Sequence, residues 1–398
     1  VESLLFLCHR IPYPPNKGDK IRSFHILKFL AEHYRVHLGT FIDDEADLRH
    51  VDQVRAWCAD LQAIQISPRA RRLLSLTGLI TGEALSLPYY REAGLRDWLR
   101  QTMRRARPTL AFVYSSAMAQ YVMGQEFSGV KRIVDFVDVD SEKWRAYAAM
   151  KPWPMSWVYG READRLLAFE RQVADEVDSC VFVSGDEARL FERLRGVPAA
   201  NVHAVNNGVD LDYFSAAANF ANPYPSGAPV LVFTGAMDYW ANADAVTWFA
   251  TEIFPRVRGK VPAAEFWIVG TRPTPEVRQL ERLPQVRVTG AVDDIRPYLA
   301  HAKAAVAPMR IARGVQNKVL EAMAMGKPVV GTPAAFEGLA LEGRYTALTA
   351  EEASAFAGRC VELLGNAHDE FGPVGRDYVM AHHDWSVNMR RLHSLMVH

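Results

Sequence analysis

The chain is 398 residues long and 49% apolar, enough for two domains of ordinary size and too apolar for wholesale disorder. Lysine plus arginine and aspartate plus glutamate both number 46, which argues against a general nucleic-acid binder and makes any basic patch local. Cys8, Cys58, Cys180 and Cys360 are far apart, with no CxxC and no histidine cluster, so no metal site and no disulfide framework is expected and a reducing, cytoplasmic compartment fits.

No apolar run reaches the length of a membrane span, and the amino end leads into a strand rather than a signal peptide. Ser3 to Cys8 has the form of a buried parallel strand, and Cys8 reads as a buried small hydrophobe. A loop, His9 to Lys20, leads to a helix over Arg22 to His33 with Phe24, Leu27 and Leu30 on one face. Strand, loop, helix at the start of an α/β sheet puts that loop at the carboxyl edge, where ligands bind. Lys17, Gly18, Asp19, Lys20 and Arg22 therefore form an acceptor or phosphate candidate; the alternative is a proline-stiffened surface loop with scattered charge. Strands follow at Tyr34 to Ile42 and Leu61 to Ile66. Ile66 to Tyr90 mixes arginines with leucines, as in a helix lying in a membrane surface or a domain helix whose arginines face water.

Pro108 to Tyr114 and Arg132 to Asp138 are further strands. The second ends in Asp135, Asp138, Asp140 and Ser141: the acids could serve an acceptor, or Asp140-Ser141 cap the next helix. Trp153, Trp157 and Tyr159 suit a lipid headgroup boundary or a loop packed on its own domain. Strands at Ser179 to Ser184 and Asn201 to Asn206 complete the first half. Ser215 to Pro229 reads as a linker.

The pattern restarts at Val230 to Thr234, where Gly235 lets a backbone approach an anion. Asp238 touches the ligand or caps the helix over Asn242 to Ala250. Strands at Glu265 to Gly270 and Val286 to Thr289 follow, then Gly290-Ala291-Val292-Asp293-Asp294. The most informative stretch is Pro308 to Thr332. It reads as strand end, loop with Arg310 and Arg313, glycine turn at Gly314, helix over about Val315 to Met325, glycine stop at Gly326 and strand. Val315, Val319 and Met323 face a core, while Asn317, Lys318 and Glu321 share the other side. A phosphate at this helix N-terminus is one reading, since free N–H groups and the macrodipole favour it; an ordinary crossover helix is the other. Near the end, Trp385, Met389, Leu392 and Met396 fall at helical spacing.

Lys318 to Val330 (K-x-L-E-A-M-A-x-G-K-P-V-V) resembles the signature of retaining glycosyltransferases of the GT-B fold. The resemblance implies that Glu321 binds the ribose hydroxyls of a nucleotide. It also implies that Gly314, Val315 and Gln316 face sugar and diphosphate through their backbone. Where that group has a first glutamate, this chain has Arg313. The group's Arg and Lys pair after the Gly235 turn is replaced by Met237, Asp238, Tyr239 and Trp240, so Arg310, Arg313 and Lys318 stand in for it. Val292, in the G-x-V-x-D turn, is expected against the nucleobase. Asn207-Gly208-Val209-Asp210 resembles the exit from the first domain. PYPPNKGDKIRS, DFVDVDSEKW, GAMDYW and IARGVQNKVLEAMAMGKPVV resemble the sugar transferases associated with PEP-CTERM/exosortase systems, which are linked to exopolysaccharide or cell-surface glycan assembly.

These readings imply a GT-B α/β fold, two Rossmann-like domains facing across a cleft, with a last helix crossing back to the first. The expected division is 1–214 for the acceptor side, 215–229 for the linker, 230–375 for the nucleotide sugar and 376–398 for the returning helix. The implied reaction is metal-independent, retaining transfer from a UDP- or GDP-linked sugar to a glycan or lipid-linked acceptor. No cofactor, no nucleic acid and peripheral contact with the inner membrane are expected. Asp138, Arg310 and Lys318 are the catalytic candidates; Gly235, Met237, Val292, Arg313, Gly314, Val315, Gln316 and Glu321 are the donor-binding ones. A sugar-nucleotide epimerase on the same fold and a non-catalytic glycan-binding subunit are the alternatives.

Overall fold

The computed structural model describes residues 2–15, 18–197, 200–225, 227–312, 314–339, 341, 347–365 and 370–397. Lys17 and Arg313 lie outside the described residues. The chain divides into two compact units, Val1–Asn206 with Met389–His398, and Asn207–Asn388.

Unit 1 is built on a seven-stranded sheet: β1 (Ser3–Cys8), β2 (Arg35–Ile42), β3 (Asp60–Gln65), β4 (Leu110–Tyr114), β5 (Lys131–Val137), β6 (Ser179–Phe182) and β7 (Val202–Ala204). Its order is β3-β2-β1-β4-β5-β6-β7, with every pairing parallel. Unit 2 carries β8 (Val230–Thr234), β9 (Glu265–Val269), β10 (Val286–Gly290), β11 (Ala304–Ala307) and β12 (Val329–Gly331), in the parallel order β10-β9-β8-β11-β12. The short apolar runs become strands because helices cover both faces, so alternation is lost and β1, β4 and β8 are almost wholly buried. Cys8 is buried, as expected, and so is Cys180.

In a parallel sheet, ligand-binding loops gather where the strand order reverses. That point lies between β1 and β4 in unit 1 and between β8 and β11 in unit 2. The loops after β1 and β4, and after β8 and β11, thus flank the two switch points.

Several elements differ from the sequence expectation. Ile66 to Tyr90 folds as three short helices, Pro68–Ser75, Thr77–Thr81 and Ser86–Tyr89. In the aromatic stretch, Trp153 lies in the short connection between the helices Asp140–Met150 and Met155–Glu176 and is exposed, as is Trp157, whereas Tyr159 packs on Trp144 and Tyr147. Tyr224, in the 215–229 stretch, is buried in the core of unit 2 and its hydroxyl donates to the Tyr298 carbonyl at 2.7 Å. Trp385 packs on Gly208, where a Cβ would lie 2.6 Å from its ring, and from Met389 onward the final helix groups with unit 1. There His393 meets the Tyr34 hydroxyl at 3.0 Å.

Candidate active site

At the carboxyl edge of unit 2, two glycine turns sit back to back. Gly235 follows β8 with φ 155° and Gly270 follows β9 with φ 159°, and a Cβ on Gly270 would fall 1.7 Å from the Gly235 carbonyl oxygen. Only glycine permits this approach. Beside the turn, the Asn242 amide donates to the Ala236 carbonyl at 2.9 Å and its oxygen accepts from Lys318 Nζ at 2.8 Å. Asn242 stands near the start of the Trp240–Trp248 helix, and Lys318 in the first turn of the Asn317–Ala324 helix that follows β11. The ammonium also lies 3.9 Å from Met309 Sδ and 5.2 Å from the centre of the Phe233 ring.

The helix that carries Lys318 starts with no side-chain cap on its N-terminal N–H groups. Its inner face, Val319, Leu320 and Met323, is fully buried, and Gly326 ends it with φ 67°. Glu321 lies one turn along on the same face as Lys318. Among the described residues the two make no ion pair, and no side chain donates a hydrogen bond to the Glu321 carboxylate. Burial lowers the Lys318 ammonium to about 8, against the pull of Glu321. Burial raises the Glu321 carboxyl to about 7, against the pull of Lys318. Both groups can thus change charge near neutrality.

The other donor-side candidates divide. Gly314 turns the chain with φ 66°, and its carbonyl accepts from Gln316 Nε2 at 3.1 Å. The helix begins at Asn317 rather than at Val315, whose side chain enters the core of unit 2 as the spacing implied. Gly235 shapes the turn, but its N–H donates to the Val269 carbonyl at 3.1 Å and is no donor for a phosphate. Met237 is buried and its N–H goes to the Thr271 carbonyl at 2.8 Å, so neither group is open to a ligand. Val292 is half-buried against the core. Asp238 does not cap a helix; it pairs with Arg272 at 3.0 Å. Arg310 is held by the Asp244 carboxylate through two hydrogen bonds, with its guanidinium 5.7 Å over Trp248. Its charge is therefore partnered within the unit rather than left open.

The carboxyl edge of unit 1 is arranged differently. Lys20 is buried and donates to Asp47 at 2.6 Å. Arg22 is buried and donates to Asp135 at 2.7 Å and to the Val205 carbonyl at 2.9 Å. Both are structural ion pairs rather than groups open to an acceptor. Gly18 opens the Gly18–His33 helix. Asp19 accepts from Arg10 at 2.5 Å and lies 3.5 Å from His9 Nε2. Burial opposes its charge, yet His9 and Arg10 together hold its carboxyl below the usual range. Asp138 is half-buried just after β5. Burial, then Glu187 and Asp140, raise it to about 7, with Lys143 and Arg22 opposing. It follows Val137, whose φ of 71° is a strained value for a β-branched residue. Asp140 and Ser141 do not cap the next helix; the Ser141 hydroxyl donates to Glu170 at 2.6 Å.

Two residues escaped the sequence reading. Asn242 contacts Lys318 across 76 positions of sequence, and no local spacing signals such a pair. His9 stacks on Tyr114 with ring centres 5.7 Å apart and meets Tyr90 edge-on. Its place immediately after β1, at the switch point, was the available signal.

The two parallel sheets with their glycine-lined edges form the GT-B fold. Residues 228–366 match the family model of glycosyl transferases group 1, a span confined to unit 2. Among solved structures, sucrose-phosphate synthase from Thermosynechococcus elongatus is similar at 16% identity and TM-score 0.69, with 100% of this chain and 98% of that chain covered. HepE from Anabaena, solved in complex with UDP and glucose, is similar at 14% identity and TM-score 0.66, with 100% and 99% covered. WaaG, a glycosyltransferase involved in lipopolysaccharide biosynthesis, is similar at 13% identity and TM-score 0.65, with 99% and 100% covered. No curated protein matches the chain in sequence.

Proposed function

We propose that the chain is a glycosyltransferase that binds a nucleotide sugar at the carboxyl edge of unit 2. The observation that carries this reading is Lys318, a half-buried ammonium beside a glycine turn whose hydrogen-bonding partner is the neutral Asn242 rather than a carboxylate. Such a cation keeps its charge for an anion from outside. A diphosphate lies against Lys318 and the uncapped helix terminus, and Glu321 accepts from the ribose hydroxyls. HepE, a protein of similar fold, was solved with UDP and glucose, which supports a uridine nucleotide as the first donor to try.

In the reaction, the bond between the anomeric carbon and the diphosphate breaks and negative charge grows on the leaving phosphate. Lys318 and the helix N–H groups stabilise that charge without a metal. The acceptor hydroxyl bonds to the same face of the anomeric carbon, retaining its configuration. The acceptor, a glycan or a lipid-linked sugar, is received by unit 1, where Asp138, raised toward neutrality, is suited to take its proton or to balance developing positive charge. Assembly of an exopolysaccharide or surface glycan, at the cytoplasmic face of the inner membrane, is the setting this chemistry fits.

Incubating the protein with UDP- and GDP-sugars, with and without a lipid-linked or glycan acceptor, tests the reading. Release of free nucleotide that depends on the acceptor is expected. A new sugar nucleotide formed without any acceptor would identify an epimerase instead, and the absence of nucleotide binding by calorimetry would identify a glycan-binding subunit.

A further inference from the structure

Unit 1 carries a surface that the transfer reaction does not use. In the helices Pro68–Ser75 and Thr77–Thr81, large aliphatic side chains face solvent: Leu73 is 71% exposed and Ile80 89%, with Leu74, Leu76 and Leu79 also exposed. Exposed aliphatics placed this close together are unusual on a soluble domain, where they occur singly. A second group adjoins them. Trp153 is 80% exposed and Trp157 58%, flanked by Met150 and Met155. Arg161 joins the two groups by donating to the Gly78 carbonyl at 2.7 Å and the Glu83 carbonyl at 3.1 Å. Trp157 stands one helical turn before Arg161 on the same face of their helix.

The charge of this surface identifies what covers it. Residues 66–82 contain Arg69, Arg71 and Arg72 and no acidic residue; residues 148–161 contain Lys151 and Arg161 and again none. In a chain with equal numbers of acids and bases this is a local excess. Arg71 is held by Glu92 and Arg161 by backbone carbonyls, whereas Arg69, Arg72 and Lys151 make no ion pair among the described residues. Exposed aliphatics, tryptophans and unpaired cations on one segment pair are the composition of an interfacial element. Apolar side chains enter the acyl boundary, indoles sit at headgroup level and arginines meet anionic phosphates.

We propose that the Pro68–Thr81 segment, together with the Met150–Trp157 turn, docks unit 1 onto an anionic phospholipid surface. Among the described residues no helix is long and apolar enough to cross a membrane, so the contact is peripheral. It is reversible and salt-sensitive, because exposed arginines attract headgroups through a screened field.

Flotation of the whole protein with vesicles tests this. Binding is expected to vesicles of phosphatidylcholine with about 30 mol% phosphatidylglycerol, to weaken in high salt, and to be slight on phosphatidylcholine alone. Leu73→Asp combined with Ile80→Asp should lower the bound fraction by roughly tenfold or more while leaving UDP affinity unchanged, since neither residue belongs to the nucleotide site. Brominated lipids should quench wild-type indole fluorescence, and Trp153→Ala with Trp157→Ala should remove that quenching. Failure of the wild-type protein to float with anionic vesicles overturns the proposal. So does undiminished binding by a folded aspartate variant, or a concentration-dependent dimer that the same substitutions dissolve.

Discussion

Both sheets gather cations at their carboxyl edges, and the two edges treat them in opposite ways. In unit 1, Arg10, Lys20 and Arg22 each meet a carboxylate: Asp19 and Asp43, Asp47, and Asp135. In unit 2, Lys318 meets the amide of Asn242, and the nearest acid, Glu321, stands off without bonding to it. A buried cation with a carboxylate partner is part of the fold, because removing either member strands the other. A half-buried cation with a neutral partner is costly to the fold and gains most from an added anion. Arg310 shows that the rule applies within one edge: eight residues before Lys318, it is occupied by Asp244 and therefore belongs with the unit 1 cations.

This contrast can be broken most forcefully in unit 1. Arg22→Ala should destabilise the protein by about 3–5 kcal/mol, because it leaves the Asp135 carboxylate buried without its cation. Thermal or urea unfolding reads the loss. Lys318→Ala should act the other way, costing little stability and slowing turnover about 10²–10³-fold, the range for losing one preorganised donor to a developing charge. Its effect on the Kd for the donor should be smaller; equal losses in turnover and affinity would point to plain ground-state binding. Glu321→Ala should weaken UDP by about 1–3 kcal/mol, the worth of hydrogen bonds to a charged group, as calorimetry can measure.

Asn242→Asp sharpens the comparison further, since it gives Lys318 the kind of partner that Lys20 and Arg22 have. It should weaken UDP by about tenfold, or 1.4 kcal/mol, with no loss of fold. The smallest expected effect is a pH dependence. Glu321 must be ionised to accept from ribose, so affinity should fall as pH drops through about 7. Lys318 must be protonated to hold phosphate, so affinity should also fall as pH rises through about 8. Binding should therefore peak between those values, with Glu321→Gln removing the acid limb and Lys318→Met the alkaline one.

How far these features could be read from the sequence follows from the range of the interactions. The inward face of the Lys318 helix and its glycine stop are local periodicity, and Val319, Met323 and Gly326 fall where the pattern put them. The strands were legible as short apolar runs for the same reason. Partner choice was not legible. Lys20 finds Asp47 across 27 positions and Arg22 finds Asp135 across 113, so a basic loop that looked open to ligands is closed by tertiary pairing. Asn242 was hidden by the same distance. In the arginine- and leucine-rich stretch after Ile66, the sequence allowed a membrane-surface helix or a domain helix with its arginines in water, and the structure leaves Leu73, Leu76 and Ile80 exposed along with Arg69 and Arg72. Gly235 and Met237 show a further gap: a glycine turn advertises close approach, but where its N–H groups go depends on the neighbouring strand.

A crystal structure with UDP bound tests the central claim most directly. The account predicts a phosphate oxygen within hydrogen-bonding distance of Lys318 Nζ, near the start of the Asn317–Ala324 helix, with the ribose hydroxyls on Glu321. A nucleotide seated elsewhere, with Lys318 still turned to Asn242 alone, would contradict it.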